Sequence, residues 1–190
     1  MFKKTALWMS ILALQAAGLN VAHAQGLTID EAYEAIPKER VIYDPYSSTL
    51  DAMKAEYLND FFTAIDDAVV LRVELLQLMY YGYDYDMEYY RAAYEQAINK
   101  LMNLQTPHDH YQTQSLVIEA LREQWQFFEE WHGAEGYMKD AYKNYASHPY
   151  VKSSSRKLIS AYNIFMKLYP GEANVNKKAF YTHLCALDFI

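Results

Sequence analysis

The sequence predicts an all-α protein: an antiparallel helical bundle with three long helices and two or three shorter C-terminal helices. Three observations carry that expectation. Apolar residues recur at spacings of three, four and seven over long stretches, the period of one helical face. Glycines and prolines punctuate the ends of those stretches. No run alternates apolar and polar residues for long enough to make a useful strand.

The strongest periodic stretch runs from about Ser48 or Thr49 to Tyr81, with Leu50, Met53, Tyr57, Phe61, Ile65, Val69, Leu76 and Tyr80 on one face. Asp51, Lys54, Glu56, Asp60, Asp66 and Asp67 take the other faces, and Gly82 is placed to stop the helix in a left-handed conformation. At 1.5 Å per residue this element is about 45 to 50 Å long, which requires a long bundle or a kink. A second helix starts at Asp84 or Asp86 and reaches Leu104, with Met87, Tyr90, Tyr94, Ile98 and Leu101 inward. Thr106-Pro107-His108-Asp109 combines an N-cap, a proline at the first helical position and an early acid, so a third helix begins there. It carries Val117, Ile118, Leu121, Trp125, Phe128 and Trp131 and ends at Gly133.

Beyond Gly133 the expected elements shorten. One helix spans Glu135 to Ala146 and stops before His148-Pro149; Ser153-Ser154-Ser155 offers the cap of another that reaches Leu168. After Pro170-Gly171 a last helix, Asn174 to Leu187, presents Val175, Ala179, Leu184 and Leu187. Two segments, Tyr90–Ala97 and Ala161–Pro170, look loosely like tetratricopeptide helices, but Pro107 and Pro170 are not a whole number of about 34-residue repeats apart.

The N-terminus reads as an export signal. Met1-Phe2-Lys3-Lys4 is basic, an apolar run follows to about Ala17, and Ala22-His23-Ala24 has the small-residue pattern of a cleavage site. The expectation is a signal peptide over 1–24, cleaved near Ala24, and one helical-bundle domain over 25–190, periplasmic or secreted. The apolar run is too short to span a bilayer, which takes about 20 residues, and the chain is not expected to be an integral membrane protein. Thr28 and Glu31 have capping-box spacing for a short helix ending before Pro37, and Val41 to Tyr46 reads as an approach segment. Cys185 is the single cysteine, so an intrachain disulfide is excluded; it is expected buried on the last helix, with an intermolecular disulfide as the alternative.

Charge is unevenly divided. From Gln25 to Gly136 there are 7 Lys and Arg against 21 Asp and Glu, and from Tyr137 to Ile190 there are 8 against 3. The expected consequence is a basic C-terminal third folded back on acidic helices; the alternative is a basic face for an anionic partner.

No diagnostic catalytic motif is present. Glu129 and His132 form one Glu-x-x-His pair, where a di-metal carboxylate bundle needs two, so His132 reads as a helix-end residue. His108 and His110, two apart on a helix, point about 200° away from each other and do not chelate one ion. Asp84, Asp86 and Glu88 open like a calcium loop, but Tyr89 stands where the turn glycine belongs. The Ser153–Ser155 run lacks a nucleophile elbow, and His183 and Cys185 point apart. No nucleotide-binding loop or haem-attachment motif occurs, and no cofactor is expected.

The most conspicuous feature is seven tyrosines between Tyr80 and Tyr94. Tyr90 and Tyr94 fit the buried face; Tyr81, Tyr83, Tyr85 and Tyr89 lie off it near a turn, where amphipathic rings suit contact with another molecule. The expected function is therefore non-enzymatic: binding of another envelope or secreted protein through a tyrosine-rich acidic surface, as a chaperone, secretion accessory or toxin-neutralising partner. Homo-oligomerisation is compatible with this, and nucleic acid is not an expected partner of an exported chain. The alternatives are a periplasmic small-molecule-binding bundle with a tyrosine-lined cavity and a buried charge, or a metal-dependent enzyme in which His132 or His108 meets carboxylates of the first helix such as Glu56, Asp60 or Glu74.

Overall fold

The computed structural model describes residues 50–188. Among them are six α-helices: α1 (Ala52–Tyr81), α2 (Met87–Met102), α3 (Tyr111–Gly133), α4 (Tyr137–Ala141), α5 (Pro149–Leu168) and α6 (Asn174–Leu187). Short 3₁₀ turns stand at His108–His110 and Tyr145–Ser147, and there is no strand among the described residues. The signal-peptide reading of 1–24, the short helix before Pro37 and the approach segment lie outside the described residues.

Helix α1 begins one turn's worth of capping later than its sequence suggests. Asp51, rather than Ser48 or Thr49, is the N-cap, its carboxylate accepting from the Lys54 amide at 2.8 Å. Gly82 ends the helix as expected, at φ 73°, and the amides of Gly82 and Tyr83 both return to the Leu78 carbonyl. The core starts only at Tyr57, so Met53, expected on the inner face, is 64% exposed. Helix α2 is capped by Asp86, which accepts from the Glu88 and Tyr89 amides at 3.0 and 3.2 Å, and it buries Met87, Tyr90, Tyr94, Ala97 and Leu101.

The α2–α3 junction departs from expectation. Thr106 does not cap α3: its hydroxyl lies 3.2 Å from the Leu104 carbonyl and against the Gln114 amide oxygen, with one proton to give to either. Gln114 in turn donates to the Leu101 carbonyl, so both residues close the end of α2, and α3 starts only after the 3₁₀ turn that succeeds Pro107.

The C-terminal third also differs. α4 has only five residues, because the chain turns at Ala141–Asn144 to bring Tyr145 inward, where it is 8% exposed. His148-Pro149 is a helix start, not only a stop: the His148 imidazole accepts from the Tyr150 amide and Pro149 occupies the first turn. The serine run lies inside α5, each hydroxyl serving a different neighbour: Ser153 donates to Glu123, Ser154 accepts from Gln124, and Ser155 donates to Asp188. With 20 residues, α5 is longer than the 16-residue α2, so the long helices number four among the described residues. In α6 the buried face is Asn176, Ala179, Phe180, His183, Leu184 and Leu187, and Val175 is 53% exposed, one position off it.

α3 packs along α5, α1 against α2 and α6, α2 against α3, and α5 against α6. One aromatic group, Phe61, Phe62, Phe165 and Phe180, joins α1, α5 and α6, with Phe165 and Phe180 stacked at 5.2 Å. A second, Phe127, Phe128 and Trp131, fills the α3 side with Tyr94. Each such fully buried ring contributes about 1.5–3 kcal/mol by leaving water. Two polar side chains then close the last turn of α6. The Arg72 guanidinium donates to the Ala186 carbonyl at 2.9 Å, and the Gln124 amide donates to the Leu187 carbonyl at 2.8 Å. Those carbonyls have no partner within their own helix, and they are satisfied from α1 and α3.

Candidate protein-binding surface

Five residues, Gly82 to Asp86, connect α1 to α2, and both ends of this turn are fixed by the caps just described. A third anchor lies across the molecule: the Tyr85 hydroxyl is 3.0 Å from His132 Nδ1, at the C-terminal end of α3, with the two rings 5.6 Å apart. Tyr85 is half-buried in consequence, and burial pushes its phenol pKa up. Its expected exposure is therefore only partial. The other three sequence candidates stand out in solvent: Tyr81 is 42%, Tyr83 56% and Tyr89 58% exposed. Tyr81 touches the rings of Tyr80 and Tyr83, and Tyr89 packs edge-on against the buried Tyr90, so the exposed rings rest on other aromatics.

Acid groups surround these rings. Asp84, Asp86 and Glu88 are exposed on the turn and the first turn of α2. Arg91 lies between Glu88 at 3.6 Å and Glu129 at 3.2 Å, with its guanidinium 6.0 Å from the Trp125 ring. On the other side of the α3 end, Glu130, Gly133, Ala134, Glu135, Met138 and Tyr142 line a shallow open hollow. Glu130 accepts from the Tyr142 hydroxyl at 3.4 Å and is 3.2 Å from His148, while the buried Trp131 donates its indole N–H to the Lys139 carbonyl at 3.1 Å. Burial and then Glu130 raise the Tyr142 pKa. Tyr137 and Met138 of α4 are also exposed, at 80% and 50%; sequence reasoning did not group them with the tyrosine run, because they lie far along the chain from it.

The metal candidates are dispersed. Glu129 faces Arg91, His132 faces Tyr85, and His108 is exposed beside Tyr111 at the far end of α3. Among the described residues no three His, Cys, Asp or Glu side chains could hold a metal ion together. The histidine that meets a carboxylate of α1 is His183, whose Nδ1 is 2.7 Å from Asp66 and whose ring stacks on Phe62 at 4.6 Å. Arg72 is the buried charge the small-molecule reading requires, and it is turned toward backbone at Ala186; burial lowers its pKa. Cys185 is half-buried rather than fully buried, with its thiol pKa raised by burial.

Sequence reasoning missed one further cluster. His110 is fully buried, its Nδ1 2.7 Å from Asp109 and its Nε2 2.6 Å from the Tyr169 hydroxyl. Lys54 closes on Asp109 at 2.5 Å. A carboxylate at Nδ1 fixes the tautomer, so the Nδ1–H donates to Asp109 and the Tyr169 hydroxyl donates to Nε2. Tyr57, Phe165 and Tyr169 wall in the ring, which makes this a tie between the start of α1, the start of α3 and the end of α5. No protein-family model, curated protein or solved structure matches this chain.

Proposed function

We propose that this is an exported, non-enzymatic helical protein that binds another envelope or secreted protein through its tyrosine-rich acidic end, in the manner of a chaperone, secretion accessory or toxin-neutralising partner. The observation that carries the reading is the set of three exposed rings, Tyr81 at the end of α1, Tyr83 on the turn and Tyr89 in the first turn of α2, around a connection held by two helix caps and the Tyr85–His132 contact. Rings already held in place lose little entropy on binding, and tyrosine is enriched among the residues that dominate interface energy. The carboxylates of Asp84, Asp86 and Glu88 select for a partner with a cationic contact face.

Export is supported by the basic, apolar and small-residue order of the first 24 residues. An antiparallel bundle is supported by the cross-links at both ends: Tyr85 to His132 at one, Lys54 to Asp109 at the other. No described helix is long and apolar enough to cross a membrane.

The test uses the chain from Gln25 as bait in an envelope extract of its own cell, beside the triple variant Y81S/Y83S/Y89S. A partner retained by the parent and weakened more than about 100-fold by the variant, at unchanged helix content, is the expected result. Equal retention by both proteins overturns the surface. N-terminal sequencing of the protein from that fraction should begin at Gln25; an intact Met1 overturns cleavage.

A further inference from the structure

Among the described residues, the lysines and arginines of the basic C-terminal third make little use of the acidic helices' carboxylates. Among the described residues, Lys157 to Glu123 at 2.7 Å is the one Lys or Arg ion pair linking that third to the acidic part of the chain. Lys143 pairs locally with Asp140, and Lys177 donates to the Pro170 carbonyl. Lys152, Arg156, Ile159 and Lys167 succeed one another at spacings of four, three and eight along α5, so they share one helical face, and all four are exposed. Tyr162 of α5 and Tyr181 of α6 meet edge-on at 5.6 Å, which sets the outer faces of the two helices side by side. On α6 that face adds Lys178, also exposed. The only carboxylates between Pro149 and Asp188 are Glu172, which is buried and accepts from the Ala173 amide and the Asn176 side chain, and Asp188, which accepts from Ser155.

We propose that the outer face of α5 and α6 docks on the surface of an anionic lipid bilayer. Three properties of the face fit that occupant. Its charge is of one sign, complementary to phosphate headgroups. Its cations sit on long apolar stems that reach into a headgroup layer while the charge stays in water. Between them Ile159, Val175 and Tyr181, 54%, 53% and 47% exposed, offer apolar and amphipathic groups at the depth where such side chains partition. An acidic protein would satisfy the cations but give these three side chains no common reason to be exposed. Of the acidic helices, α2 packs on α1 and α3, so its carboxylates stay back from the bilayer; of the two packed on the docking pair, α1 has Asp66 engaged by His183 and α3 has Glu123 engaged by Lys157. The tyrosine end then remains free for its own partner.

Each Lys or Arg at an anionic bilayer strengthens binding about fivefold, so four together contribute a factor of several hundred. The chain from Gln25 is sedimented with vesicles of one part phosphatidylglycerol to three parts phosphatidylcholine and with pure phosphatidylcholine vesicles. The expected result is binding to the anionic vesicles alone, reduced at least tenfold between about 0.05 M and about 0.5 M salt. K152Q/R156Q/K167Q/K178Q, all on the outer face, should weaken it more than about 100-fold at unchanged helix content. K139Q/K143Q, near the tyrosine end, should leave it within about twofold. Equal binding by the quadruple variant, or equal binding to both vesicle types, overturns the proposal. Capture by polyglutamate without vesicle binding also overturns it, and assigns the face to an acidic protein.

Discussion

Tyr169→Phe is the sharpest probe of the buried histidine. The substitution keeps the ring, and so the packing on Phe180 and beside His110, and removes only the hydroxyl that lies 2.6 Å from Nε2. Because Asp109 holds the Nδ1 proton, Nε2 is left as an acceptor without a donor in a fully buried ring. A buried polar group stripped of its partner costs about 1–3 kcal/mol. At about 2–4 °C per kcal/mol for a chain of this size, that range lowers the melting temperature by roughly 2–12 °C near pH 8. Urea denaturation monitored by far-ultraviolet circular dichroism should show a lower midpoint at unchanged slope. A loss below about 0.5 kcal/mol would refute the assignment of the hydroxyl as donor to a neutral imidazole.

The same histidine makes stability depend on pH. Burial disfavours the imidazolium more than Asp109 favours it, so the folded pKa lies below the ordinary value of 6.5. The unfolded chain therefore takes up a proton first as pH falls, and this contribution is complete above pH 6.5 and lost as pH drops through the depressed folded value. Partial burial raises the Asp109 pKa, but Lys54 and His110 together outweigh it and hold the carboxyl low, which adds a loss in the same direction at more acidic pH. Melting temperatures from pH 8 down to pH 5 should fall in the parent and fall less in His110→Gln; parallel profiles would count against this account. Phe180→Ala, which empties the stack on Phe62 and Phe165, should cost about 3–5 kcal/mol in the same denaturation assay. Gly82→Ala places a Cβ at φ 73°, where nothing crowds it but the backbone disfavours it, and about 1 kcal/mol should be lost.

Where the sequence was legible, local chemistry sufficed. Gly82 is read correctly because a left-handed helix end almost demands glycine, and the Tyr90–Tyr94–Leu101 face because spacing alone defines it. His148-Pro149 misleads because one proline both ends the segment before it and opens the helix after it. The serine run resembles a cap, yet its hydroxyls are used by Glu123, Gln124 and Asp188, partners 30 to 33 residues away that no local pattern announces. Burial of His110, Gln124 and Arg72 was invisible for the same reason: a polar side chain is buried where a distant group receives it. The tyrosine cluster was visible as composition, but its division into anchored Tyr85 and exposed Tyr81, Tyr83 and Tyr89 depends on His132, 47 residues on. The charge split was visible too, whereas among the described residues its expected neutralisation by lysine or arginine across helices comes down to Lys157 and Glu123.

The closure of the last turn of α6 also sets an order of events during synthesis. Arg72 is separated by 114 residues from the carbonyl it serves, and Gln124 by 63. A ribosome makes both side chains long before Ala186 and Leu187, so these two contacts form only once α6 has been synthesised. The last turn of α6 is therefore closed by residues that precede it by much of the described chain.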